Sequence, residues 1–438
     1  MLVNRISSKF ELRLIQIKFV FVDLIMVTVL RKDERVRDLL AGGSILLLAF
    51  SIPYSTALVN IFSALCLVCW LFSGFVRDDI KKIVSSFAGK LLIAFFALAM
   101  LSVIWSEAPK DYILEGVAKL RKLLLVAVVW MLLSRLERFQ KLTLFSLFLS
   151  FSLLALVCLG IYIGLPGFPE MTPGQGAIFL RSHIAQGYFL SLLTCICVGM
   201  VILGTEWKTK LIGLIFLILS LIVTFYMTNG RTGYACLICV LFVLPFAAPG
   251  TITKKLLWLA LAGGVIVTII VSSDRFEKRW NDAAFDIQEM ELGNRSTSIG
   301  YRLTAWRASI EMVKSSPLFG VGIGGWGAKF CQMQTDSAEE FDQCSREIKI
   351  GNPHSDYFNW IAQFGILGLC LWIAFLLAVV KGVVQFSSDY RVFLLAGLMS
   401  YMIGALFNSF IWDISEGTLS ALMLGWILAI TQGAQRGT

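Results

Sequence analysis

Long apolar runs separated by short charged segments dominate the pattern of hydrophobic and polar positions along the chain. A helix that crosses the roughly 30 Å hydrocarbon core of a bilayer takes about 20 apolar residues, and most of the runs approach or exceed that length. The pattern predicts twelve membrane-crossing helices, at 39–57, 59–76, 89–106, 118–134, 142–164, 184–204, 211–228, 232–248, 256–272, 356–380, 392–411 and 417–431. We therefore predict an all-α polytopic membrane protein in contact with membrane lipids.

The spacing of the runs also defines the domain organisation. The predicted parts are an N-terminal segment at 1–38, nine helices within 39–272, one long loop at 273–355, and three helices with a short tail within 356–438. The apolar stretch from Phe19 to Leu30 is interrupted by Asp23 and is too short to cross a membrane, so we predict that the N-terminal segment is cytoplasmic or interfacial.

Lysine and arginine are distributed unequally between alternate loops. With a cytoplasmic N-terminus, the inner segments carry 22 of these residues and the short outer loops carry 6. Because positive charge accumulates on the cytoplasmic side, both termini are predicted to be cytoplasmic and the long loop external. A hydrophobic content of 57% and a mean hydropathy of +0.79 exclude an ordinary soluble fold. Orientation explains the net charge of +9, so we expect no nucleic-acid partner.

Two of the ten cysteines fall in the predicted external loop. Cys331 and Cys344 could form a disulfide in an oxidising compartment, or both could be free buried thiols. The other eight lie in apolar segments, where a packing role is favoured over zinc binding.

Candidate chemistry gathers at the predicted external membrane face. The chain has only two histidines, His183 and His354, and the topology places both there, together with Arg181 and Arg231. A cation at the rim of an apolar helix usually pairs with an internal carboxylate or an anionic ligand. The alternative, in which each arginine reaches lipid headgroups, weakens when several such residues coincide.

His354 lies just before a predicted helix. Pro353 excludes regular helix before it, and Ser355 or Asp356 makes a good N-cap. The helix dipole and nearby arginines both disfavour imidazolium, so we expect a neutral ring that can accept a proton. A capping or core histidine is the competing interpretation.

The external loop contains an amphipathic segment and a glycine-rich segment. Tyr301 to Ser315 is predicted as an amphipathic helix that ends before Pro317. Gly320 to Gly327 satisfies a GxGxxG pattern but follows a helix rather than a strand, so a dinucleotide site is rejected. We predict a tight turn lying under a ligand or against the helix bundle.

These motifs, in their order and spacing, resemble the O-antigen ligase family. The resemblance covers about residues 180 to 370. It rests on Arg231 in a Gly-Arg-Thr-Gly turn, Arg302 followed by Pro-Leu-Phe-Gly-Val-Gly-Ile-Gly, and Asn-Pro-His354 before a helix with Gly-Ile-Leu-Gly. Two positions depart from the family pattern: Ser355 stands where Asn is frequent, and Gln363 where Glu is common.

The resemblance implies a GT-C-like glycosyltransferase bundle in the bacterial inner membrane with a periplasmic active site. It implies inverting transfer of a glycan from an undecaprenyl-diphosphate donor to the lipid A core oligosaccharide, in lipopolysaccharide biosynthesis. Arginines suit the diphosphate leaving group because they bind it bidentately, and no cofactor or metal is expected. The assigned residues are His354, Arg231 and Arg302 for catalysis, and Arg181, His183, Arg231, Arg302 and Asp356 for substrate binding.

Other bases and other functions remain open. Asp356, Asp413 and Glu416 could replace His354 as base, although carboxylates beside arginines are expected to have low pKa values and to be weak bases. An O-antigen polymerase or a protein O-oligosaccharyltransferase would use the same donor. No predicted external arginine has the glycine eleven residues later that is common in polymerases, which favours the ligase. A lipid or glycan transporter and a membrane scaffold are the alternatives outside the enzymes.

Overall fold

The computed structural model describes residues 34–171, 176–179, 182–228, 230–247, 250–292, 297–334, 344, 351–386 and 390–434. Within them the chain is all-α, apart from one isolated bridge between Gly176 and Thr228. The α-helices are α1 (Glu34–Ser51), α2 (Thr56–Leu71), α3 (Val76–Ser85), α4 (Phe87–Leu101), α5 (Lys110–Lys119), α6 (Arg121–Arg135), α7 (Glu137–Tyr162), α8 (His183–Leu203), α9 (Trp207–Ile222), α10 (Arg231–Ala247), α11 (Ile252–Ser272), α12 (Asp274–Glu291), α13 (Ser298–Ser315), α14 (Gly325–Gln334), α15 (Asp356–Gln385), α16 (Arg391–Phe407) and α17 (Ile414–Ala434). The predicted fold class is confirmed in this coarse form, whereas the segment from Phe19 to Leu30 lies outside the described residues.

All twelve predicted crossing segments coincide with a helix, but fewer are long enough to count as spans. Among the described residues, six helices are long and apolar enough to cross a membrane, or seven if the bent pair α2 and α3 counts as one. Helix α10 over Arg231–Leu244 and helix α16 are apolar but shorter, and α6 has 15 residues. These helices support a multi-pass membrane protein. Twelve crossings and the GT-C-like arrangement stay predictions.

Two glycines allow the helices that carry Arg231 and His183 to cross closely. A Cβ added to Gly233 of α10 would lie 2.6 Å from the Cα atom of Gly187 in α8, which is too close for any side chain. A Cβ added to Gly230 would come almost as close to the backbone carbonyl oxygen of His183. The glycines around Arg231 therefore bring the N-terminal ends of α8 and α10 together.

The glycine-rich segment packs against the helix bundle, which is one of the two placements predicted for it. Gly320, Gly322 and Gly324 all have positive φ angles. The backbone N–H groups of Val321 and Gly322 donate to the carbonyls of Ala362 and Gln363 at 2.9 Å. These bonds reach α15 where it breaks at Gly365, which has φ of 65° and whose own Cβ would meet Leu318 at 2.3 Å.

Gln363, one of the two departures from the family pattern, joins the same contact. Its Oε1 accepts a 2.7 Å hydrogen bond from the Gly324 N–H, and its Nε2 donates to Asn359 at 2.7 Å. The residue is buried, so it holds the glycine-rich turn on α15. This turn fixes how α13 packs on α15, and therefore how close Arg302 lies to His354.

Candidate functional site

His354 lies in a strained turn at the N-terminal end of α15. Its φ is 50°, and among the described residues it is the only non-glycine residue with positive φ. The Asn352 side chain accepts a hydrogen bond from the His354 N–H at 2.9 Å, and Ser355 is the N-cap residue, as predicted. Such strain costs on the order of 1–3 kcal/mol and is concentrated at functional sites.

The imidazole is oriented by a short hydrogen-bond chain. His354 Nδ1 lies 3.1 Å from Asn408 Oδ1, and Asn408 Nδ2 donates to Asp413 Oδ2 at 3.1 Å. Because the amide nitrogen of Asn408 is directed to the carboxylate, its oxygen must accept from His354, so Nδ1 carries the proton. The lone pair is therefore on Nε2, which is the atom that can accept a proton.

Helix α13 covers the His354 turn with aromatic side chains and Arg302. The Trp306 Nε1–H donates to the carbonyl of Pro353 at 2.9 Å, and its ring stacks on Phe358 with a centroid distance of 5.0 Å. Tyr301 meets the imidazole edge-on at 5.7 Å. Arg302, one residue along, has no hydrogen-bond or ion-pair partner among the described residues, so its N–H groups are available to an anionic ligand.

Arg231 lies near Arg302 and is held by Asp286 of helix α12. Both terminal nitrogens of Arg231 donate to Asp286 Oδ2 at 3.2 Å. Asp286 belongs to α12, so this ion pair ties α12 to the start of α10. The side chain of Arg231 keeps 26% of its surface exposed, which leaves part of the guanidinium accessible.

The pKa values show that these groups share one electrostatic environment. Burial lowers the pKa of Arg302, and the charge of Arg231 lowers it further. The pKa of His354 is lowered from its ordinary 6.5, first by burial and then by the charge of Arg302, while the Asn408 hydrogen bond and Asp413 oppose the shift. The direction of this shift agrees with the predicted neutral His354, and burial is its main cause.

Asp413 contradicts the expectation of a low carboxylate pKa. Burial raises the pKa of Asp413, and nearby Lys122 and His354 only partly oppose this. The expectation is wrong for this residue because its contacts are Asn408 and a buried lysine rather than the arginines. Asp413 is therefore placed to orient His354 through Asn408.

Asp356 is fully buried and holds the turn that leads from Asn408 to Asp413. Both carboxylate oxygens accept from the Ile411 N–H at 3.2 Å, and the Tyr401 hydroxyl donates to Oδ2 at 3.3 Å. Lys122 donates to the carbonyls of Ile411 and Trp412 at 2.8 and 3.0 Å. With these bonds the buried Asp356 supports the site from inside the bundle, and its contact with substrate stays a prediction.

Comparison with known proteins identifies the part of the chain that contains this geometry. Residues 215–373 match the O-antigen ligase family. The resemblance found in the motifs is thereby confirmed, and the matched segment includes Arg231, Arg302 and His354. This similarity is consistent with glycosyl transfer of the ligase or polymerase type.

One curated relative is also similar over part of its length. An uncharacterized protein of Haemophilus influenzae is 29% identical over 188 residues, which is 42% of this chain and 45% of the relative. The chain thus spans less than half the length of the relative that it matches.

The remaining site residues lie outside the segment that matches the O-antigen ligase family. His183 is the first residue of α8 and contacts Gly230, next to Arg231. Arg181 lies outside the described residues. Sequence patterns missed Asn408 and Asp286, because each meets its partner across more than 50 residues of chain, 54 for Asn408 and 55 for Asp286.

Two further features bear on the chemistry of the site. Cys331 and Cys344 form a disulfide, which decides between the two states that the sequence left open. Among the described residues, no three His, Cys, Asp or Glu side chains lie close enough together to hold a metal ion.

Proposed function

We propose that this protein is an O-antigen ligase of the bacterial inner membrane with a periplasmic site. In this proposal it transfers a glycan from undecaprenyl diphosphate to the lipid A core oligosaccharide, by metal-independent transfer with inversion. The observation that carries the proposal is the pairing of an oriented, neutral imidazole with two neighbouring guanidinium groups, in a segment that matches this family.

His354 is the general base of the proposed reaction. An acceptor hydroxyl oxygen attacks the anomeric carbon from the face opposite the diphosphate, and its proton passes to Nε2 of His354. The bond between the anomeric carbon and the phosphate oxygen breaks, and undecaprenyl diphosphate leaves with the bonding electrons. A single displacement of this kind inverts the anomeric centre. The lowered pKa of His354 keeps its ring able to accept the proton near neutral pH.

Arg302 and Arg231 are the proposed binding groups for the diphosphate. Arg302 has no ion-pair partner among the described residues, and Arg231 pairs with one carboxylate, that of Asp286, while 26% of its side-chain surface stays exposed. A diphosphate offers several oxygens to these planar groups, and charge-assisted hydrogen bonds strengthen as the leaving group gains charge. Arg181 and His183, which precede and begin α8, are proposed to extend the same anion-binding surface.

The decisive experiment compares different acceptors with the same donor. Purified protein would be incubated with a polyprenyl-diphosphate glycan, without nucleotide, and with core lipid, a second carrier-linked glycan or a peptide. We expect elongation of the core lipid alone, measured by mass spectrometry. Elongation of the second carrier-linked glycan would instead identify a polymerase, and glycosylation of the peptide a protein oligosaccharyltransferase. A chelator should leave the transfer intact, and a loss restored by magnesium or manganese would contradict metal independence.

Two sets of variants separate the base from the diphosphate-binding groups. His354→Ala should preserve donor binding and lower turnover by roughly two to four orders of magnitude, the usual size of general-base catalysis. Arg231→Ala and Arg302→Ala should also weaken donor binding, and Lys should rescue each only in part because it lacks the planar fork. Near-native transfer by His354→Ala would rule out the assigned base, and full activity in all of these variants would exclude the enzyme site.

A further inference from the structure

Three basic residues are left unexplained by the charge distribution of the chain. Lys119, Arg121 and Lys122 lie at the predicted external end of the bundle, where the positive-inside rule expects few cations. Lys119 pairs with Glu115 at 3.3 Å, and Lys122 is bound by two backbone carbonyls. Arg121 is exposed and has no acidic partner among the described residues. Its one described polar contact is with Asn60 Oδ1, at 2.7 Å.

A cavity lies at this position, separate from the His354 site. Its volume is about 180 Å³, and it is enclosed by α2, α6 and α17. The polar lining residues are Asn60, Ser63, Arg121, Lys122 and Thr418, and the apolar ones are Ala64, Leu67, Leu124, Leu125 and Val128. This lining contains the exposed guanidinium of Arg121 and no carboxylate. It therefore has the charge of an anion site and the apolar surface of a hydrocarbon site.

The polar and apolar parts of the cavity are at different depths. Asn60 and Arg121 lie within the first turns of α2 and α6, and Leu67 and Val128 each come seven residues later. At 1.5 Å per residue the apolar residues are roughly 10 Å further along the helix axes. All three helices begin at the polar end, so their positive N-terminal dipoles also favour an anion there. Such a gradient fits an amphiphile with its charged group at the membrane surface.

The size of the cavity limits which part of an amphiphile it can hold. Sites for whole small molecules usually have roughly 300–1,000 Å³, and this cavity has about 180 Å³. A phosphate group with its first attached carbons fits this space, and a glycan does not. Arginine is suited to phosphate because its planar fork binds two oxygens.

We propose that this cavity binds the phosphodiester headgroup of an anionic membrane lipid, with Arg121 on the phosphate and the acyl chain along Leu67 and Leu124. The site is independent of the proposed transfer reaction, since binding needs neither His354 nor the glycan donor. Lys122 nevertheless connects this cavity to the His354 site, because it donates to the carbonyls of Ile411 and Trp412 in the turn that leads to Asp413.

The test measures lipid retention rather than transfer. Full-length protein would be reconstituted in nanodiscs that contain phosphatidylglycerol and phosphatidylcholine in equal amounts, released, and examined by native mass spectrometry. We expect selective retention of phosphatidylglycerol and roughly tenfold less of it in Arg121→Gln, the size of a lost charge-assisted contact. Lys110→Gln, which removes an exposed cation of the neighbouring helix α5 outside the cavity, should retain the wild-type amount.

A second variant and a second ligand complete the design. Ala64→Phe keeps Arg121 but fills the cavity, so it should also reduce retention. Equal retention of phosphatidylglycerol by Arg121→Gln and wild type, or equal retention of both lipids by the wild type, would overturn the proposal. Inorganic phosphate at millimolar concentration should not displace the lipid. Displacement would show that the cavity takes free phosphate and would overturn the assignment to a lipid.

Discussion

The Nδ1–H of His354 has a defined acceptor, and this decides which nitrogen of the ring can take a proton. Asn408 accepts from Nδ1 and donates to Asp413, so a rotation of the Asn408 amide would leave two hydrogen bonds unmade. Asp356 and Lys122 in turn hold the backbone of the turn that follows Asn408. The orientation of the proposed catalytic ring thus depends on buried residues that surround it.

Asn408→Ala should therefore lower turnover by up to about 100-fold, the scale of a misplaced catalytic group, with donor binding unchanged. Asn408 is a positioning residue, so its effect should require His354. The measurement is a double-mutant cycle: His354→Ala with Asn408→Ala should be no slower than His354→Ala alone. If the two losses multiply instead, Asn408 acts on the reaction by another route.

The charges around His354 predict a pH dependence with opposite effects of two substitutions. Only the neutral ring can act as base, and its pKa is lowered from 6.5. Turnover at saturating donor should therefore be flat through neutral pH and fall only below pH 6.5. Arg302→Gln removes a charge that lowers the pKa of His354, so the fall should move to higher pH. Asp413→Asn removes a charge that raises this pKa, so the fall should move to lower pH.

Rates measured from pH 5 to 8, an interval that covers the ordinary titration range of roughly 6.5 for histidine, would test both shifts. Arg307→Gln, an exposed residue of the same helix α13, serves as the control and should leave the profile in place. A profile that moves in the same direction in Arg302→Gln and Asp413→Asn would mean that the titrating group is not His354.

Close approach of helices α8 and α10 positions Arg231 together with its ion pair to Asp286. Gly233→Ala would place a methyl group 2.6 Å from the Cα atom of Gly187 and drive α8 and α10 apart. Forced packing of this kind costs typically about 1–3 kcal/mol. We expect a lower thermal midpoint together with weaker donor binding, because Arg231 begins α10. Gly263→Ala in α11 is the matched control, since its Cβ would meet nothing within 4 Å. Equal midpoints of the two variants would show that the crossing tolerates a larger separation.

The elements differ in how much of them local sequence determines. The amphipathic period of 301–315 and Pro317 predicted α13 to within three residues of its start, at Ser298. Residue type alone limited the cap of α15 to Ser355 or Asp356, of which Ser355 is the cap. The break of α15 at Gly365 was not predicted, because its neighbours are apolar and helical by pattern. It depends on the glycine-rich turn, whose N–H groups bond to the carbonyls of Ala362 and Gln363. Contacts of this kind, like that of Arg231 with Asp286, come from tertiary packing that no local period encodes.

At the scale of the whole molecule, the candidate site is assembled from helix beginnings. His183 begins α8, Arg231 begins α10 and Asp356 begins α15, while Asp413 directly precedes α17. His183 contacts Gly230, next to Arg231, and the charge of Arg231 lowers the pKa of Arg302. His354 is linked to Asp413 through Asn408. Helices that begin at one end of a bundle add partial positive charge there. The arrangement favours an anionic ligand at this end of the protein, whichever side of the membrane it faces.

The side of the membrane that the His354 end faces is predicted from charges far from the site. The excess of 22 inner over 6 outer lysines and arginines predicts that the end with His354 faces the periplasm. Reporter fusions after Arg231 and Gly324 should therefore read external, and fusions after Lys255 and Arg391 should read cytoplasmic. The four positions lie in different connections, so one error in the number of crossings changes only the readings that follow it along the chain. A cytoplasmic reading at Gly324 would contradict the proposed ligase, because His354 and the arginines would then not face the periplasm, where the proposed reaction takes place.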